Sequence, residues 1–543
     1  MTIRLYNIAA AISGDLAAFP LSARQTETLA AEAAQTLGLK PADILALRVV
    51  RRAIDARHTP RFVFTLDIDL GEREREMLEN LPLHAARVLA EETEPEPQPG
   101  PGPLPARPVV VGAGPAGLFA AFTLARSGYR PLVIERGKPV PDRLADIAAF
   151  HAQKSLDPES NYLFGEGGAG AFSDGKLATR IDDPRIATVL AALVECGAPP
   201  EIAIDAKPHV GTDRLRAVLV NLREKIESLG GEFRFNTRLD AITPRGDALE
   251  LQCSGEKIPA GILVLAIGHS ARDTYAMLRD SGVALERRAF QMGLRIEHPR
   301  ELIDRAQYGN WFKLPALGAA DYRIVWKGAP GPRPVYSFCM CPGGQLMAAT
   351  AQPDCLCTNG MSNHARDGKF SNSALVSPVT PGDFASFAPQ GDPLAGLRFQ
   401  EHWERAAFTL AGGEYRAPAQ TAPDFIAGSV PATLPETSYA FGLAPADLSA
   451  ILPPFIIQAI RKALPVFAGS INGFDGPDAL LIGPETRVSS PVRITRDDDT
   501  RVSLSTPNLY PVGEGAGYAS GIMSSALDAI LTAHSIISRF SRP

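Results

Sequence analysis

The chain is poor in cysteine, and it lacks the segments that mark export or membrane insertion. No N-terminal stretch combines a basic start, an apolar run and a small-residue cleavage site, and no uninterrupted apolar run is long enough to cross a bilayer. The 543 residues include six cysteines, which without an export signal indicate reduced thiols rather than a disulfide framework. We therefore expect a cytoplasmic protein that has no membrane partner.

An excess of positive charge and the motifs of several enzyme classes are also absent. The net charge of −6 argues against a general nucleic-acid binder. The sequence contains no GxSxG elbow, no HExxH helix and no P-loop GxxxxGK[ST], so nothing supports a hydrolase or a kinase. The length exceeds what one hydrophobic core usually supports, so we expect two or three domains.

One glycine-rich stretch carries the strongest functional signal. Residues 109–137, VVVGAGPAGLFAAFTLARSGYRPLVIERG, predict a strand, a glycine turn, a helix and a second strand. The β-branched run Val109–Val111 is typical of a central parallel strand that is buried on both faces. Gly112 permits the tight turn, Gly114 lets a pyrophosphate approach the backbone, and Gly117 allows the helix to pack closely on the strand. The stretch predicts a dinucleotide-binding unit.

The helix start and the second strand supply the rest of the predicted nucleotide site. The helix that follows Pro115 and Ala116 directs free N–H groups and the positive end of its dipole at the phosphates. Glu135 ends the second strand, where a carboxylate can accept hydrogen bonds from a ribose 2′-OH, and Arg136 follows it. Because NAD and FAD both present adenosine diphosphate to such a turn, this motif alone leaves both cofactors open.

Two later segments resemble parts of FAD-binding oxidoreductases of the glutathione-reductase-like superfamily. The segment ILVLAIGHS is similar to their alanine–threonine–glycine turn beside the nucleotide, with Ile267 between Ala266 and Gly268 in place of the threonine. The segment NLYPVGEGAGYASGIM resembles their return to the cofactor, where a carboxylate reaches the ribityl chain and a helix start reaches the flavin. The resemblance implies non-covalent FAD contacted by Gly513, Glu514, Gly521 and Ile522.

Further segments carry a resemblance that covers nearly the whole chain. It resembles the bacterial group of predicted FAD-dependent dehydrogenases that have a small N-terminal domain before the flavin-binding fold. The resemblance is specific for family and cofactor, and it implies no particular substrate. The matching segments are Phe164–Lys176 (FGEGGAGAFSDGK), Lys207–Asp213 (KPHVGTD), Gly293–Pro299 (GLRIEHP), Gln307–Gly309, Phe338–Gly344 (FCMCPGG) and Asn359–Asp367 (NGMSNHARD).

The stretch Asn161–Arg180 is too rich in glycine for an ordinary helix or strand. A second GxGxxG occurs in it, but no strand pattern precedes the motif, which argues against a second dinucleotide site. We interpret the stretch as a loop whose backbone lies against the flavin, with Ser173 and Lys176 near the ring edge. A lysine there stabilises an anionic reduced flavin, although Lys176 could equally be a surface residue. The glycines assigned to this loop are Gly165, Gly167, Gly168 and Gly170.

The sequence predicts a small βαββ domain ahead of a proline-rich linker. Strands are expected at Ile3–Ile12, Ile44–Ala56 and Phe62–Leu70, with a helix that starts in a Ser22–Gln25 capping box and ends near Gly38. Arginines cluster on the second strand and just beyond it, either as a solvated sheet face or as a site for RNA or an acidic partner. The arginines are Arg48, Arg51, Arg52, Arg57 and Arg61. The linker EPEPQPGPGPLPARP is expected to be extended and semi-rigid.

We expect an α/β fold in which a Rossmann-like, three-layer FAD domain carries an inserted α+β substrate domain. A strand at Glu232–Ile242 belongs to the FAD domain. The insertion lacks βαβ rhythm and is rich in proline, aromatic residues and short strand patterns. The predicted boundaries are 1–93 for the N-terminal domain, 94–108 for the linker, 109–282 and 487–543 for the FAD domain, and 283–486 for the insertion.

Polar residues beside glycines in the inserted domain are our candidates for catalysis, together with Lys176. A pure core favours apolar residues, so polar and charged types at short spacing indicate a site. Arg295 and Glu297 could instead pair with each other on one strand face. The candidates in the insertion are Arg295, His298, Asn359, His364 and Arg366.

Four of the six cysteines form two CxC pairs in the inserted domain. Four thiolates could hold zinc or an iron–sulfur cluster, although the spacing differs from the usual CxxC pairs. A redox dithiol is a second alternative. Buried, reduced cysteines are the default expectation, so we expect the four to be dispensable for metal content and flavin reduction. They are Cys339, Cys341, Cys355 and Cys357.

Together these patterns predict an FAD-dependent oxidoreductase that moves a hydride or electron pair between bound FAD and a small organic substrate. No second nucleotide fold is visible, so NAD(P)H, if it is the reductant, binds transiently or through the inserted domain. A flavin monooxygenase is the alternative enzyme. A non-catalytic FAD-bearing sensor that acts through residues 1–93 is the alternative outside enzymes. The sequence does not identify the substrate, the electron partner or the oligomeric state.

Overall fold

The N-terminal part folds into an antiparallel sheet with one helix against it. A computed structural model describes residues 2–11, 19–73, 77, 81, 85–88, 96–328 and 331–543. The sheet has the order β2-β3-β1-β4, and Leu29 and Ala33 of the helix join its core. The elements are β1 (Thr2–Ala11), α1 (Ala23–Leu37), β2 (Ala46–Asp55), β3 (Arg61–Asp69) and β4 (Ala85–Val88).

The local signals in this part predicted its elements well, with one omission. Ser22 caps α1 in a capping box with Gln25, and Gly38 ends the helix in the left-handed conformation. The predicted first strand is present as far as Ala11, and Ile12 lies outside the described residues. The prediction missed β4, because four residues are too few to display an alternating pattern.

The arginine-rich strand β2 holds the N-terminal part against the rest of the chain. The N–H of Arg52 donates to the carbonyl of Ile204 over 2.7 Å, and its guanidinium bonds Asp205 over 2.8 Å. Arg48 pairs with Asp67, and both Arg57 and Arg61 pair with Asp55. Four of the five arginines thus meet carboxylates of this same chain, and binding of RNA or an acidic partner by this face stays a prediction.

The second half of the predicted linker is hydrogen-bonded to the last residues of the chain. Gly100 N–H donates to the carbonyl of Ile537 over 2.8 Å, and Gly102 N–H donates to that of Arg539 over 3.0 Å. A Cβ on Gly100 would lie 2.2 Å from the carbonyl oxygen of Ser538, so only glycine allows this approach. Glu94 and Pro95 lie outside the described residues.

The centre of the molecule is a five-stranded parallel sheet, whose strands lie in the order β22 (Leu509–Pro511), β11 (Ile262–Leu265), β5 (Pro108–Val111), β6 (Leu132–Ile134) and β7 (Glu232–Arg234). The predicted strand Glu232–Ile242 is wrong as one element: it breaks at Asn236, whose φ is 52°, and continues in a separate antiparallel sheet of β8, β9 and β10. The elements are β5 (Pro108–Val111), α2 (Pro115–Arg126), β6 (Leu132–Ile134), α3 (Val140–Gln153), α4 (Arg185–Glu195), α5 (Thr212–Ser228), β7 (Glu232–Arg234), β8 (Leu239–Arg245), β9 (Ala248–Cys253), β10 (Glu256–Ala260), β11 (Ile262–Leu265) and α6 (Arg272–Asp280).

The next part of the chain forms a large, mainly antiparallel sheet before the chain returns to the parallel sheet. The order of the large sheet is β14-β15-β17-β13-β20-β18-β19, with β16 paired to β15. Its elements are β13 (Phe290–Pro299), α7 (Arg300–Tyr308), β14 (Val325–Trp326), β15 (Val335–Ala348), β16 (Thr358–Met361), β17 (Phe370–Val379), α8 (Ala395–Leu410), β18 (Ala417–Thr421), α9 (Ala422–Ala427), β19 (Leu443–Pro445), α10 (Pro454–Ala468) and β20 (Leu480–Glu485).

The return completes the fold around the buried helix α2. A two-stranded ribbon pairs β12 (Leu285–Arg287) with β21 (Val492–Ile494), β22 (Leu509–Pro511) joins the parallel sheet, and α11 (Ile522–Arg539) packs against α2. Among the described residues, no helix is both long and apolar enough to cross a membrane.

Candidate functional site

A cavity of about 290 Å³ lies where the parallel sheet meets the large antiparallel sheet. On one side it is bounded by the carboxyl ends of β5, β6, β11 and β22. On the other side it is bounded by β15, β16 and β20. The carboxyl ends of parallel strands are where α/β folds place nucleotides, so the cavity occupies the expected position for a dinucleotide.

Three positions of the nucleotide turn are glycine for different structural reasons. A Cβ on Gly112 would lie 2.4 Å from the carbonyl oxygen of Ala266, and one on Gly117 would lie 1.8 Å from that of Gly112. Both positions therefore need glycine for packing. A Cβ on Gly114 would meet nothing of the protein closer than the Cα of Gly168 at 3.9 Å. The open space beside Gly114 belongs to the cavity and fits a pyrophosphate against the backbone.

The carboxylate of Glu135 is buried at the edge of the cavity and holds the turn together. It accepts N–H hydrogen bonds from Ala113 over 2.8 Å and from Gly137 and Gly165 over 2.9 Å each. A carboxylate has about four acceptor positions, so one remains for a ribose hydroxyl. Its contact with the ribose stays a prediction.

Arg136 lies beside Glu135 and is fixed by charge and by an aromatic ring. Its guanidinium bonds the carboxylates of Glu159 and Asp273, and it lies 4.2 Å above the ring of Phe164. The residue lines the cavity at the end that the nucleotide turn assigns to the adenosine.

The glycine-rich loop folds back onto the nucleotide turn. Gly167 N–H donates to the carbonyl of Ala113 over 2.8 Å, and Arg143, fully buried, donates to the carbonyls of Asn161 and Glu166 over 2.7 Å each. These bonds place the loop beside the start of α2, where a Cβ on Gly168 would lie 3.1 Å from the Cα of Gly114. The loop lines the cavity with Gly168 and Gly170, and its contact with a flavin stays a prediction.

The predicted cofactor residues divide into a lining set and a packing set. A Cβ on Gly165 would lie 2.5 Å from the Cδ of Arg143, and one on Gly167 would lie 2.3 Å from a methyl carbon of Leu219. Gly513 packs in the same way against Ala116. The packing set, which does not line the cavity, is Gly117, Gly165, Gly167 and Gly513. The lining set is Gly112, Gly114, Pro115, Ala116, Glu135, Arg136, Gly168, Gly170, Ser173, Ala266, Gly268, Glu514, Gly521 and Ile522.

Lys176 reaches the cavity from the far end of the loop. Its ammonium donates to the carbonyl of Met340 and lies 3.1 Å from Asp174. Burial alone would raise the pKa of Asp174, but the charges of Lys176 and Arg366 outweigh it and hold that pKa well below its usual range. Arg366 does not line the cavity: it lies behind Asp174 and binds it through two nitrogen atoms, so its predicted direct role is corrected to one of support.

The wall opposite the loop is held by a buried ion pair. Arg295 is fully buried and does not line the cavity, which corrects its predicted position. Its guanidinium pairs with Glu485 and donates to the side chain of Asn359, both of which line the cavity. Burial raises the pKa of Glu485 against the opposing charge of Arg295. The alternative pairing with Glu297 is wrong, since Glu297 accepts hydrogen bonds from Thr437 and Ser438.

The two histidines predicted for the site lie outside the cavity lining. His298 is buried, its ring nitrogen bonds the carbonyl of Phe474 over 2.9 Å, and burial lowers its pKa to about 4. His364 stacks on His209, with ring centres 5.2 Å apart. Both predictions are corrected, because polar spacing in a sequence does not distinguish a cavity wall from the layer behind it.

The return segment brings Glu514 next to a histidine that the sequence analysis missed. His269 Nδ1 lies 3.6 Å from Glu514, and both side chains line the cavity. Burial raises the pKa of Glu514 to about 7, and burial lowers that of His269 to about 4. His269 directly follows the AIG turn, so its place in the sequence was a usable signal.

The two CxC pairs occupy different environments. Cys339, which is exposed, and Cys341, which is buried, both line the cavity. Cys355 and Cys357 are buried and lie outside the lining, which agrees with the default expectation of buried cysteines, whereas the exposed Cys339 departs from it. In the part of the chain that the structure describes, no three or more His, Cys, Asp or Glu side chains are grouped as metal ligands.

Several lining residues besides His269 were missed as site residues. Asp174 sits inside a segment that the sequence analysis matched. Glu485 and Arg487 lie in GPETR, at the end of the inserted domain, without a motif of known chemistry. Only the pairing of β20 with β13 in the antiparallel sheet shows that these residues lie at the cavity.

Comparison with protein families finds three matches. The model described as "FAD-dependent protein, C-terminal domain-like" matches residues 289–488, and that of an NAD(P)-binding Rossmann-like domain matches residues 110–140. A domain of unknown function matches residues 15–70. Among curated proteins, an uncharacterized protein of Clostridium beijerinckii is 44% identical over 548 residues, which covers 100% of both chains.

Solved structures matched in the comparison include two FAD complexes. A mutant of the halogenase PltM in complex with FAD is 12% identical, with a TM-score of 0.36, over 79% of this chain and 67% of that chain. CtdE in complex with FAD is 12% identical, with a TM-score of 0.31, over 78% of this chain and 81% of that chain. These values are too low to carry over a reaction or a substrate.

Proposed function

We propose, from the premise that this chain belongs to the same family of FAD-dependent proteins as the Clostridium beijerinckii relative, that it is an oxidoreductase acting on a small organic substrate. The observation that supports this most is one continuous cavity. It runs from the nucleotide turn to a polar wall formed by Asn359 and Glu485. FAD, when bound, supplies the electron-pair chemistry.

The nucleotide end of the cavity offers groups suited to a dinucleotide. The N-terminus of α2 presents backbone N–H groups and the positive end of its dipole next to the open space at Gly114. Glu135 offers an acceptor for the ribose, and Glu514 offers a carboxyl group for the ribityl chain.

The other end offers charge and a substrate wall. Lys176 brings a positive charge that favours an anionic, reduced cofactor. Arg295, from behind, fixes Glu485 and Asn359, which orient a small substrate by hydrogen bonds. We assign the contact with substrate to these two lining residues and to Lys176.

The experiment is anaerobic reduction of the purified protein by NADH and by NADPH, in separate cuvettes, followed by reoxidation with a fractionated metabolite extract. We expect the flavin absorbance to bleach and then to recover with one class of small molecule. Lys176→Met should slow both steps and leave FAD binding nearly unchanged. Oxygen uptake coupled to hydroxylation of a product would assign a monooxygenase instead. A flavin that no donor and no acceptor turns over would favour the sensor that acts through residues 1–93.

A further inference from the structure

Cys339 and Cys341 lie two residues apart on β15 and face the same end of the cavity as Lys176. The pairing of β15 with β17 is irregular here: Phe338 lies opposite Ala374, but Cys341 lies opposite Asn372, so β15 carries one extra residue. Such bulges redirect side chains and are frequent next to active sites. The two thiols therefore reach the same cavity from the bulged part of one strand.

The backbone at this bulge is in a conformation that few residues other than glycine adopt. Cys339 has a φ of 44°, and its carbonyl accepts a hydrogen bond from Arg295 over 2.9 Å. A non-glycine residue held there is strained, and such residues cluster at functional sites. The Sγ of Cys341 lies 3.3 Å from the same carbonyl, so its side chain turns back along the strand towards Cys339.

A positive charge lies close to both thiols. The ammonium of Lys176 donates to the carbonyl of Met340, the residue that separates them. Burial raises the pKa of Cys341, and the charges of Lys176 and Arg295 act in the opposite direction. The charge of Lys176 also lowers the pKa of the exposed Cys339, so this lysine favours the thiolate form of both residues.

We propose that Cys339 and Cys341 form a redox-active dithiol that exchanges an electron pair with bound FAD and with a small disulfide substrate. The inference rests on the proposed function and names its substrate class. An extended chain spans about 7 Å over two residues, and a disulfide accepts Cα separations of up to about 6.8 Å, so a small contraction of the strand allows the bond.

The steps balance in atoms and electrons. Cys339, the exposed thiol, attacks the substrate disulfide as the thiolate and releases one substrate thiol. Cys341 then attacks the mixed disulfide, which releases the second substrate thiol and closes the Cys339–Cys341 bond. The Cys339–Cys341 bond would then take two electrons from reduced FAD and two protons, one from the anionic reduced cofactor and one from solvent, which restores the dithiol and leaves oxidised FAD.

The test is a reductive titration of the FAD-loaded, air-oxidised protein with dithionite under argon. A flavin plus a disulfide takes up about four electrons per FAD, whereas a flavin alone takes up about two. We expect about four for the wild type and about two for Cys339→Ser/Cys341→Ser. Cys355→Ser/Cys357→Ser is the matched control and should keep about four, because its thiols lie outside the cavity lining.

A second readout needs no flavin. We expect oxidised glutathione to convert the peptide that spans the two cysteines to a form lighter by two hydrogens, as detected by mass spectrometry of the apoprotein. In Cys341→Ala, which keeps the exposed thiol, the same reagent should leave glutathione attached to Cys339. Uptake of about two electrons by an FAD-loaded wild type whose two thiols stay free would overturn the dithiol and leave the proposed function standing. A protein that binds no flavin but forms the peptide disulfide would overturn the proposed function and the exchange with FAD, and would leave the reaction of the dithiol with a small disulfide standing.

Discussion

At the residue scale, Gly114 is a glycine that the fold itself does not require but that a bound nucleotide would require. Its φ of −78° suits any residue, and an added Cβ meets nothing of the protein within 3.9 Å. We expect Gly114→Val to keep the wild-type melting temperature of the apoprotein and to weaken FAD binding at least about tenfold, because the branched side chain occupies the pyrophosphate's place.

The matched control for Gly114→Val is Gly382→Val, an exposed glycine whose added Cβ comes no closer than 3.8 Å to Thr380. Both variants make the same chemical change, but only one makes it beside the cavity. Titration of each apoprotein with FAD, followed by flavin fluorescence, measures the two affinities. Equal affinities in the two variants would show that the nucleotide lies elsewhere.

Glu514 leads to a prediction about pH. Burial raises the pKa of its carboxyl from 4.5 to about 7, so the folded state holds this proton more tightly than the unfolded state. The free energy of unfolding therefore falls as the pH rises from about 4.5 to about 7, and this group contributes up to about 3 kcal/mol to the fall.

Glu514→Gln removes this titration. We expect the melting temperature of the Gln apoprotein, relative to the wild type, to rise between pH 5 and pH 7 and to stay level above that range. Differential scanning fluorimetry across the pH series measures the difference, and the apoprotein is used because a bound cofactor covers the carboxyl. A difference that does not change with pH would mean that the carboxyl is not buried as the structure has it.

At the scale of elements, the junction of β13 and β20 supports the site from behind. Arg295→Met should lower stability by about 3–5 kcal/mol, because it leaves Glu485 buried without its counter-charge. Arg295→Met/Glu485→Leu should recover most of that loss, since an apolar pair tolerates burial.

The double variant should still lose turnover, because the wall then lacks its carboxylate. Thermal unfolding and substrate-dependent reoxidation are measured on the same preparations. An equally unstable double variant would argue against the ion pair as the cause.

Local patterns in the sequence predicted the elements that depend on neighbours in the chain. The capping box at Ser22 and the glycine turn after Val111 are of this kind, because spacing over a few residues decides them. The wall of the site was not predictable in the same way. Whether Arg295 or Glu485 faces the cavity depends on which strands pair, and β13 and β20 are far apart in the chain. Periodicity shows which side of a strand is polar, but not what covers it.

At the scale of the whole molecule, strand β2 joins the N-terminal part to the rest of the described chain. Arg52 contributes both a backbone hydrogen bond to Ile204 and an ion pair with Asp205 at that contact. We expect Arg52→Ala to speed proteolytic release of the N-terminal part about tenfold or more, since a hydrogen bond to a charged group contributes about 1.5–3 kcal/mol. Arg51→Ala, on the exposed side of the same strand, is the control and should match the wild type. Equal cleavage rates for the two variants would show that other contacts hold the N-terminal part.

The most direct measurement for the whole molecule is the identity and amount of the cofactor released by acid from the freshly purified protein. Chromatography against FAD and FMN standards, with protein quantified by amino-acid analysis, gives the ratio. We predict FAD, at about one molecule per chain, with Gly114→Val strongly depleted and Gly382→Val at the wild-type level. FMN alone, or a wild type that neither carries nor takes up any flavin, would contradict the assignment of this cavity to FAD.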